Sequence, residues 1–219
     1  FSAAGIEASF LLISDFGKAQ VVFEAAGKVP SVGAQLILEK GKVMALALCF
    51  GEEDIYAIPA AGFLSGEYLA GALEELMTVS PSVSVLNLKS QLPWLGRKNR
   101  DVVDGLGSQN GGEAIFDAGV AGYLLNPLKD TYEYDDLARD YLDMTVPSRM
   151  DLLGKASVEE GISTMPEKAK TCLCYMAYVA WKARPVLEKK LSEAGMRSLF
   201  YEIEMPVIYS LYHMEEEGI

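Results

Sequence analysis

Apolar positions along the first hundred residues alternate between two periods. Ala8–Ile13, Val32–Glu39, Val43–Phe50, Asp54–Pro59 and Ser82–Leu86 are short runs rich in β-branched and aliphatic residues, which predict strands. Lys40-Gly41-Lys42 joins the second and third runs as a tight hairpin, and Gly51-Glu-Glu-Asp54 joins the third to the fourth, so these three form an antiparallel meander. Between the runs the period changes. Ser14-Asp15 offers a cap for a helix that turns Ala19, Val22 and Phe23 inward and ends near Ala26, before Gly27 and Pro30. A second helix over about 65–77 carries Tyr68, Leu69, Leu73 and Leu76 on one side. The run at Ser82–Leu86 lies after this crossover, which favours a parallel neighbour.

The second half reads as helical. Helices are expected over Glu113–Asn126, with Ile115, Phe116, Val120 and Leu124 inward, and over Asp135–Leu142. Thr145–Met165 reads as irregular and polar. Pro166 opens a long helix through Arg184, kinked at Pro185 and continuing to Ala194. From Phe200 a last helix places Phe200, Ile203, Val207, Leu211 and Met214 on one apolar stripe, with Gly218 as its stop. Asn87 to Leu95 turns helical, and the glycine-rich stretch from Arg97 to Gly112 reads as a long loop. Its Gly105-Leu-Gly107 and Gly111-Gly112 lack the preceding strand and the Lys-Ser/Thr ending of a phosphate loop.

Composition narrows the chemistry. Half of the 219 residues are apolar, and the formal net charge is −12. That charge opposes binding to a phosphate backbone, whose affinity comes from Lys and Arg displacing counterions. The three cysteines, Cys49, Cys172 and Cys174, form no disulfide framework, and Cys172-Leu-Cys174 has no second pair to complete a metal site. Buried thiols and a cytoplasmic protein are the reading. No apolar run has the length of a membrane span, and no basic, apolar leader opens the chain. His213 is the only histidine; it reads as a solvated helix-face residue, as do Asp135, Asp136, Asp140 and Glu215–Glu217. Tyr175, Tyr178 and Trp181 recur at helical spacing and read as core.

Four segments, in order, resemble the 3′–5′ exonuclease region of bacterial DNA polymerase I (family A). Val85-Leu-Asn-Leu-Lys89 resembles the second exonuclease motif. Ile115-Phe-Asp-Ala-Gly-Val-Ala-Gly-Tyr-Leu-Leu-Asn-Pro127 and Asp135-Asp-Leu-Ala-Arg-Asp-Tyr-Leu142 are similar to two helices that follow it. Tyr201-Glu-Ile-Glu-Met-Pro-Val207 with Met214-Glu-Glu-Glu-Gly-Ile219 resembles the entry into the polymerase domain. The resemblance implies an α/β ribonuclease H-like 3′–5′ exonuclease fold, a mixed sheet flanked by helices. It implies an exonuclease-like domain over residues 1–195 and, over 196–219, a connecting helix into a polymerase domain.

The family's proofreading site holds two divalent cations on carboxylates from three motifs, because one cation activates the attacking water and the other stabilises the leaving oxygen. Matched residue by residue, that set is depleted here. Ile37 falls at the Asp position of the first motif and Glu39 at the Glu position, with the shortened hairpin leaving the register open by a residue or two. In the second motif Asn87 is present and Gln91 stands where Asp is required. In the third, Cys172 and Met176 fall at the Tyr and Asp positions, with Tyr175 and Val179 as the other register, and no acidic residue occurs between Lys168 and Leu187. The expectation is a catalytically silent domain that binds no metal or cofactor, Mg²⁺ serving only the polymerase domain. It is expected to be monomeric, with that polymerase domain as its partner and DNA contacted through the parent enzyme. The alternatives are an active metal-dependent exonuclease with displaced ligands, and a DNA-binding module that does not cut.

Overall fold

A computed structural model of the chain describes residues 3–96 and 113–219. The Arg97–Gly112 loop therefore lies outside the described residues. Six strands form one mixed sheet in the order β1-β4-β3-β2-β5-β6. They are β1 (Phe10–Leu12), β2 (Val32–Glu39), β3 (Lys42–Gly51), β4 (Asp54–Pro59), β5 (Val83–Val85) and β6 (Ile115–Asp117). The meander β2-β3-β4 is antiparallel, and β1, β5 and β6 join it through parallel pairs. Lys40 and Gly41 both have positive φ, 51° and 75°, as the two-residue turn between β2 and β3 requires.

The helices are α1 (Ala3–Glu7), α2 (Phe16–Ala26), α3 (Gly66–Val79), α4 (Ala118–Leu125), α5 (Tyr134–Leu142), α6 (Arg149–Leu153), α7 (Val158–Thr164), α8 (Pro166–Glu193), α9 (Arg197–Leu199) and α10 (Met205–Glu216). A π-helical turn, Phe200–Glu204, links the last two. Asp15 caps α2 and Ser65 caps α3, each accepting from the backbone N–H three residues on. Consecutive residues of β3 are buried, so both faces of the sheet are covered. Helix α8 lies over one face and α3 over the other. Among the described residues no helix is long and apolar enough to cross a membrane.

Four expectations are corrected. Ile115-Phe116-Asp117 is not the first turn of a helix but the sixth strand, paired in parallel with β5 (Val83↔Ile115, Val85↔Asp117), and the helix starts only at Ala118. The stretch 145–165 is not irregular. It holds α6 and α7, capped by Ser148 and Ser157, whose side chains accept from Asp151 N and Glu160 N. The terminal stripe divides: Phe200, Met205, Ile208 and Tyr209 are buried, whereas Ile203, Val207, Leu211 and Met214 are 53, 40, 45 and 44 % exposed. Helix α8 continues past Pro185 to Glu193, with Ala194 as its C-cap, as expected. Asp136 is also not on an outer face; it is buried and closes a capping box at the start of α5, accepting from Glu133 N and Thr131 Oγ1.

All three cysteines are free and buried, and Tyr175 and Tyr178 are buried in the core. Helix α8 packs directly against the sheet at Gly33 of β2. A Cβ there would lie 2.3 Å from the carbonyl oxygen of Ala177 and 2.5 Å from Cβ of Trp181. The contact is backbone against backbone, so no rotamer can relieve it. Farther along, Arg184 of α8 donates to the carbonyls of Glu113 (2.6 Å) and Ala114 (3.1 Å) and lies over the Phe116 ring. Phe116 in turn packs on Phe200 at 4.9 Å. This clamps the edge strand β6 between α8 and the terminal helices. Gly33→Ala is expected to destabilise the chain by about 3 kcal/mol, lowering Tm by roughly 6–12 °C. A thermal melt unchanged from wild type would show that α8 does not press on β2 there.

Candidate functional site

In a sheet with parallel strands, side chains meet where those strands end and their connections turn away. Here that place is the end of β5 beside β2. The two strands pair only through Val32↔Val83 and Gly33↔Ser84, after which the chain leaves the sheet as a 3₁₀ turn, Lys89–Gln91. This departure leaves the edge of β2 beyond Gly33 unpaired on the side away from β3. Two glutamine side chains take the strand's place.

Gln91 Oε1 accepts from Leu36 N (2.9 Å), and its Nε2 donates to Asn87 O (2.8 Å) and Gln35 Oε1 (2.9 Å). Gln35 Oε1 also accepts from Leu86 N (3.1 Å) and Asn87 N (3.2 Å), while its Nε2 reaches Asn87 O at 3.3 Å. Asn87 closes the turn by accepting from Ser90 N through Oδ1. The pair is a buried clasp in which each amide uses its donor and its acceptor ends. An amide suits this place, because Leu36 N needs an acceptor and Asn87 O needs a donor from the same side chain, and an ionised carboxylate has no donor.

The other expected positions are placed as follows. Ile37 lies two residues beyond Gln35 on β2 and is half-buried. The Glu39 carboxylate sits at the start of α7, accepting from Val158 N (2.9 Å) and Glu159 N (3.0 Å) and pairing with Arg149. Cys172 is buried beneath Tyr134, whose hydroxyl lies 3.8 Å from its sulfur, and burial pushes its thiol up to about 11. Met176 is buried on α8. The structure thus brings Gln91 and Asn87 together with Gln35, a residue that the sequence reading did not single out. The signal available was its position as a lone polar residue in an otherwise apolar run. Glu39 and Cys172 are each engaged with other partners.

Asp117 is the second missed residue. It is buried at the end of β6, where Oδ2 accepts from Leu88 N (2.9 Å) and Oδ1 from Val120 N (3.0 Å). It therefore caps α4 and holds the turn that carries Asn87 and Gln91. Burial raises its carboxyl to about 6, against the lowering effect of the Leu88, Val120 and Gly119 N–H donors. Tyr209 of α10 is raised by burial, with the Asp117 charge adding to it. Glu215 of the same helix pairs with Lys89 of the turn.

Two divalent cations need several hard, charged oxygens converging on one point. The amide clasp presents neutral groups whose oxygens already accept N–H donors, and the nearest carboxylate, Asp117, has donors on both oxygens. Among the described residues no group of three or more His, Cys, Asp or Glu is placed to hold a metal ion. These residues do not fit the two-cation centre.

The architecture is the ribonuclease H-like 3′–5′ exonuclease fold. It is shared with Brucella melitensis NrnC (TM-score 0.63, 12% identity, 88% of each chain) and with a structure described as the apo form of the nuclease (TM-score 0.58, 13% identity, 94% of this chain and 91% of that one). No family model matches the chain. Over 105 residues, 48% of this chain, it is 31% identical to DNA polymerase I of Treponema pallidum (strain Nichols), and that stretch is 10% of the relative's length. The POL domain of Pol1 from M. smegmatis, in complex with DNA primer-template and dNTP, aligns with 94% of this chain and 32% of its own (TM-score 0.59, 20% identity). The similarity to DNA polymerase I read from four segments of sequence is thus also found by comparison, while the structural likenesses at these identities establish the fold.

Two outcomes follow from the site. Gln91→Asp removes the donor to Asn87 O and sets a carboxylate against two oxygens; urea denaturation should show a loss of about 1–3 kcal/mol. For Asp117 the native state holds its proton more tightly than the unfolded chain, whose carboxyl titrates near 3.8. Its contribution to stability is therefore greatest at low pH and is lost as pH rises from about 4 through about 6. Asp117→Asn should abolish that dependence. Melts from pH 3.5 to 8 should show the wild-type-minus-variant difference in Tm falling across this window and level above it.

Proposed function

We infer that this chain is a non-cleaving 3′–5′ exonuclease-like domain of a DNA polymerase I, serving as a structural platform for a template-directed polymerase domain. The observation that carries the reading is the Gln35–Gln91 clasp. Where the resemblance calls for a metal-binding Asp at position 91, an amide knits β2 to the turn after β5. Clustered carboxylates would repel one another without cations, so the exchange trades a catalytic requirement for a stabilising one. The exposed stripe Ile203, Val207, Leu211 and Met214 is the surface on which the polymerase domain rests, and the buried stripe Phe200, Met205 and Ile208 fixes it to this domain. Similarity to a Pol1 chain of which this domain covers about a third supports that arrangement. In this reading Mg²⁺ serves the polymerase domain alone, and DNA is engaged by the parent enzyme. The net charge of −12 disfavours an independent grip on DNA.

The test is a 5′-labelled single-stranded oligonucleotide incubated with the chain and Mg²⁺ or Mn²⁺. No shortening from the 3′ end is expected at any metal concentration. Saturable digestion that EDTA abolishes would assign the domain to active proofreading with displaced ligands.

A further inference from the structure

The segment from Arg197 to Glu216 has a firm root and a light seat. At the root, Phe200 packs on Phe116, the Tyr201 hydroxyl donates to Glu188 and accepts from Arg184, and Arg197 pairs with Glu113. Past the π-helical turn Phe200–Glu204, α10 buries only Met205, Ile208 and Tyr209. Glu215 also pairs with Lys89, but both side chains are exposed and such a pair adds little. A π-helical turn interrupts the regular ladder and often sits at a working position of a helix. Here it lies between the root and the seat.

Under the seat is Asp117. α10 packs on the 3₁₀ turn Lys89–Gln91 and the π-helical turn packs on α4, the two segments that the Asp117 carboxylate joins. Tyr209 lies close enough for that charge to act on its phenol, yet its hydroxyl is buried and has no hydrogen-bond partner among the described residues. Two polar groups are thus withdrawn from water beneath α10: a carboxylate served by backbone N–H groups alone, and a hydroxyl without a partner. Both regain water if α10 lifts. Among the described residues no cationic side chain pairs with Asp117. β5 and α4 bear no charged residue, and Tyr123, the one titratable side chain of α4, is exposed. Lys89 of the turn is engaged by Glu215, and Arg184 beside the start of β6 by Glu188. α10 itself brings Tyr209 and, farther along, His213 beside Glu216.

We propose that α10 is a latch governed by the charge on Asp117: it stays seated while that carboxyl is neutral, and opening at the π-helical turn is favoured once the carboxyl is ionised. An ionised carboxylate in a closed place is costly, and lifting the helix returns the charge to water. The seated state holds the proton more tightly, its carboxyl titrating at about 6 against the ordinary 3.8. Seating is therefore firmest at low pH and weakens as pH rises from about 4 through about 6. The exposed stripe Ile203, Val207, Leu211 and Met214 rides on this segment, so the latch sets how firmly that surface is presented, whatever partner occupies it.

The test is hydrogen exchange by mass spectrometry on the whole chain, corrected for the intrinsic pH dependence of amide exchange. Amides of α10 should exchange well before those of α8 at every pH, marking a local opening. Their opening constant should rise about tenfold between about pH 5 and 7.5, levelling off where Asp117 titrates by carbon NMR. Asp117→Asn should make the constant flat over this range. His213→Gln removes an imidazole, a group type that also switches charge in this range, and should leave the rise intact. Exchange of α10 in step with α8, a constant that does not change with pH, a rise that survives in Asp117→Asn, or one lost in His213→Gln would each overturn the proposal. So would levelling at a pH apart from the Asp117 titration, a comparison made on the wild type alone should Asp117→Asn fail to fold.

Discussion

The close approach of α8 to β2 at Gly33 governs much of what surrounds it. A helix normally sits above a sheet by the height of the side chains between them. Here the missing side chain lets the carbonyl of Ala177 come down onto the strand. The same row across the sheet continues through Ser84 to Phe116, the partners of Gly33 and Ser84 in the parallel ladders. Ser84 Oγ is buried in that row and has no hydrogen-bond partner among the described residues, a cost that the tight seam imposes. Arg184 then meets the start of β6, where its guanidinium takes up the carbonyls of Glu113 and Ala114. An edge strand three residues long gains little from its own ladder. Its place depends on this clamp and on the Phe116–Phe200 contact.

From that constraint follows the fate of the polar groups near the strand ends. Each is engaged in holding a turn or starting a helix: Gln35 and Gln91 join β2 to the segment after β5, Asp117 joins that segment to α4, and Glu39 starts α7. A carboxylate that receives two backbone N–H bonds is a weak candidate for a cation, because a metal would have to displace donors that the fold needs elsewhere. The chemistry of the site and the stability of the fold therefore draw on the same atoms. That competition is what makes the amide pair an argument for the structural role proposed above.

The strands of the meander were legible because alternation, the Lys40-Gly41 turn and the Gly51–Asp54 turn all point to the same pairing. β6 was hidden because three residues carry no period of their own, and Ile115 and Phe116 merge with the helical spacing of Val120 and Leu124. The helices α6 and α7 were missed although Ser148-x-x-Asp151 and Ser157-x-x-Glu160 carry the capping signature; polarity was read as irregularity. The first motif could not be placed because the shortened hairpin removes the landmark between Glu39 and Val43. Only the pairing of Gln35 with Gln91 shows which part of β2 faces the second motif. The terminal helix has two apolar stripes, and periodicity alone cannot say which of them faces this domain.

Two acidic side chains buried in the same chain show how differently the fold can treat one chemical group. Asp117 is surrounded by the N–H groups of Leu88, Gly119 and Val120, which belong to the segments it holds together, so its position is explained from within. Glu74 has no such set, but its residue lines the open groove between α2 and α3, and its carboxylate oxygens are not among the buried unpartnered atoms of the described residues. Water completes there what the backbone completes at Asp117, so only Asp117 is drawn into the architecture as a joint.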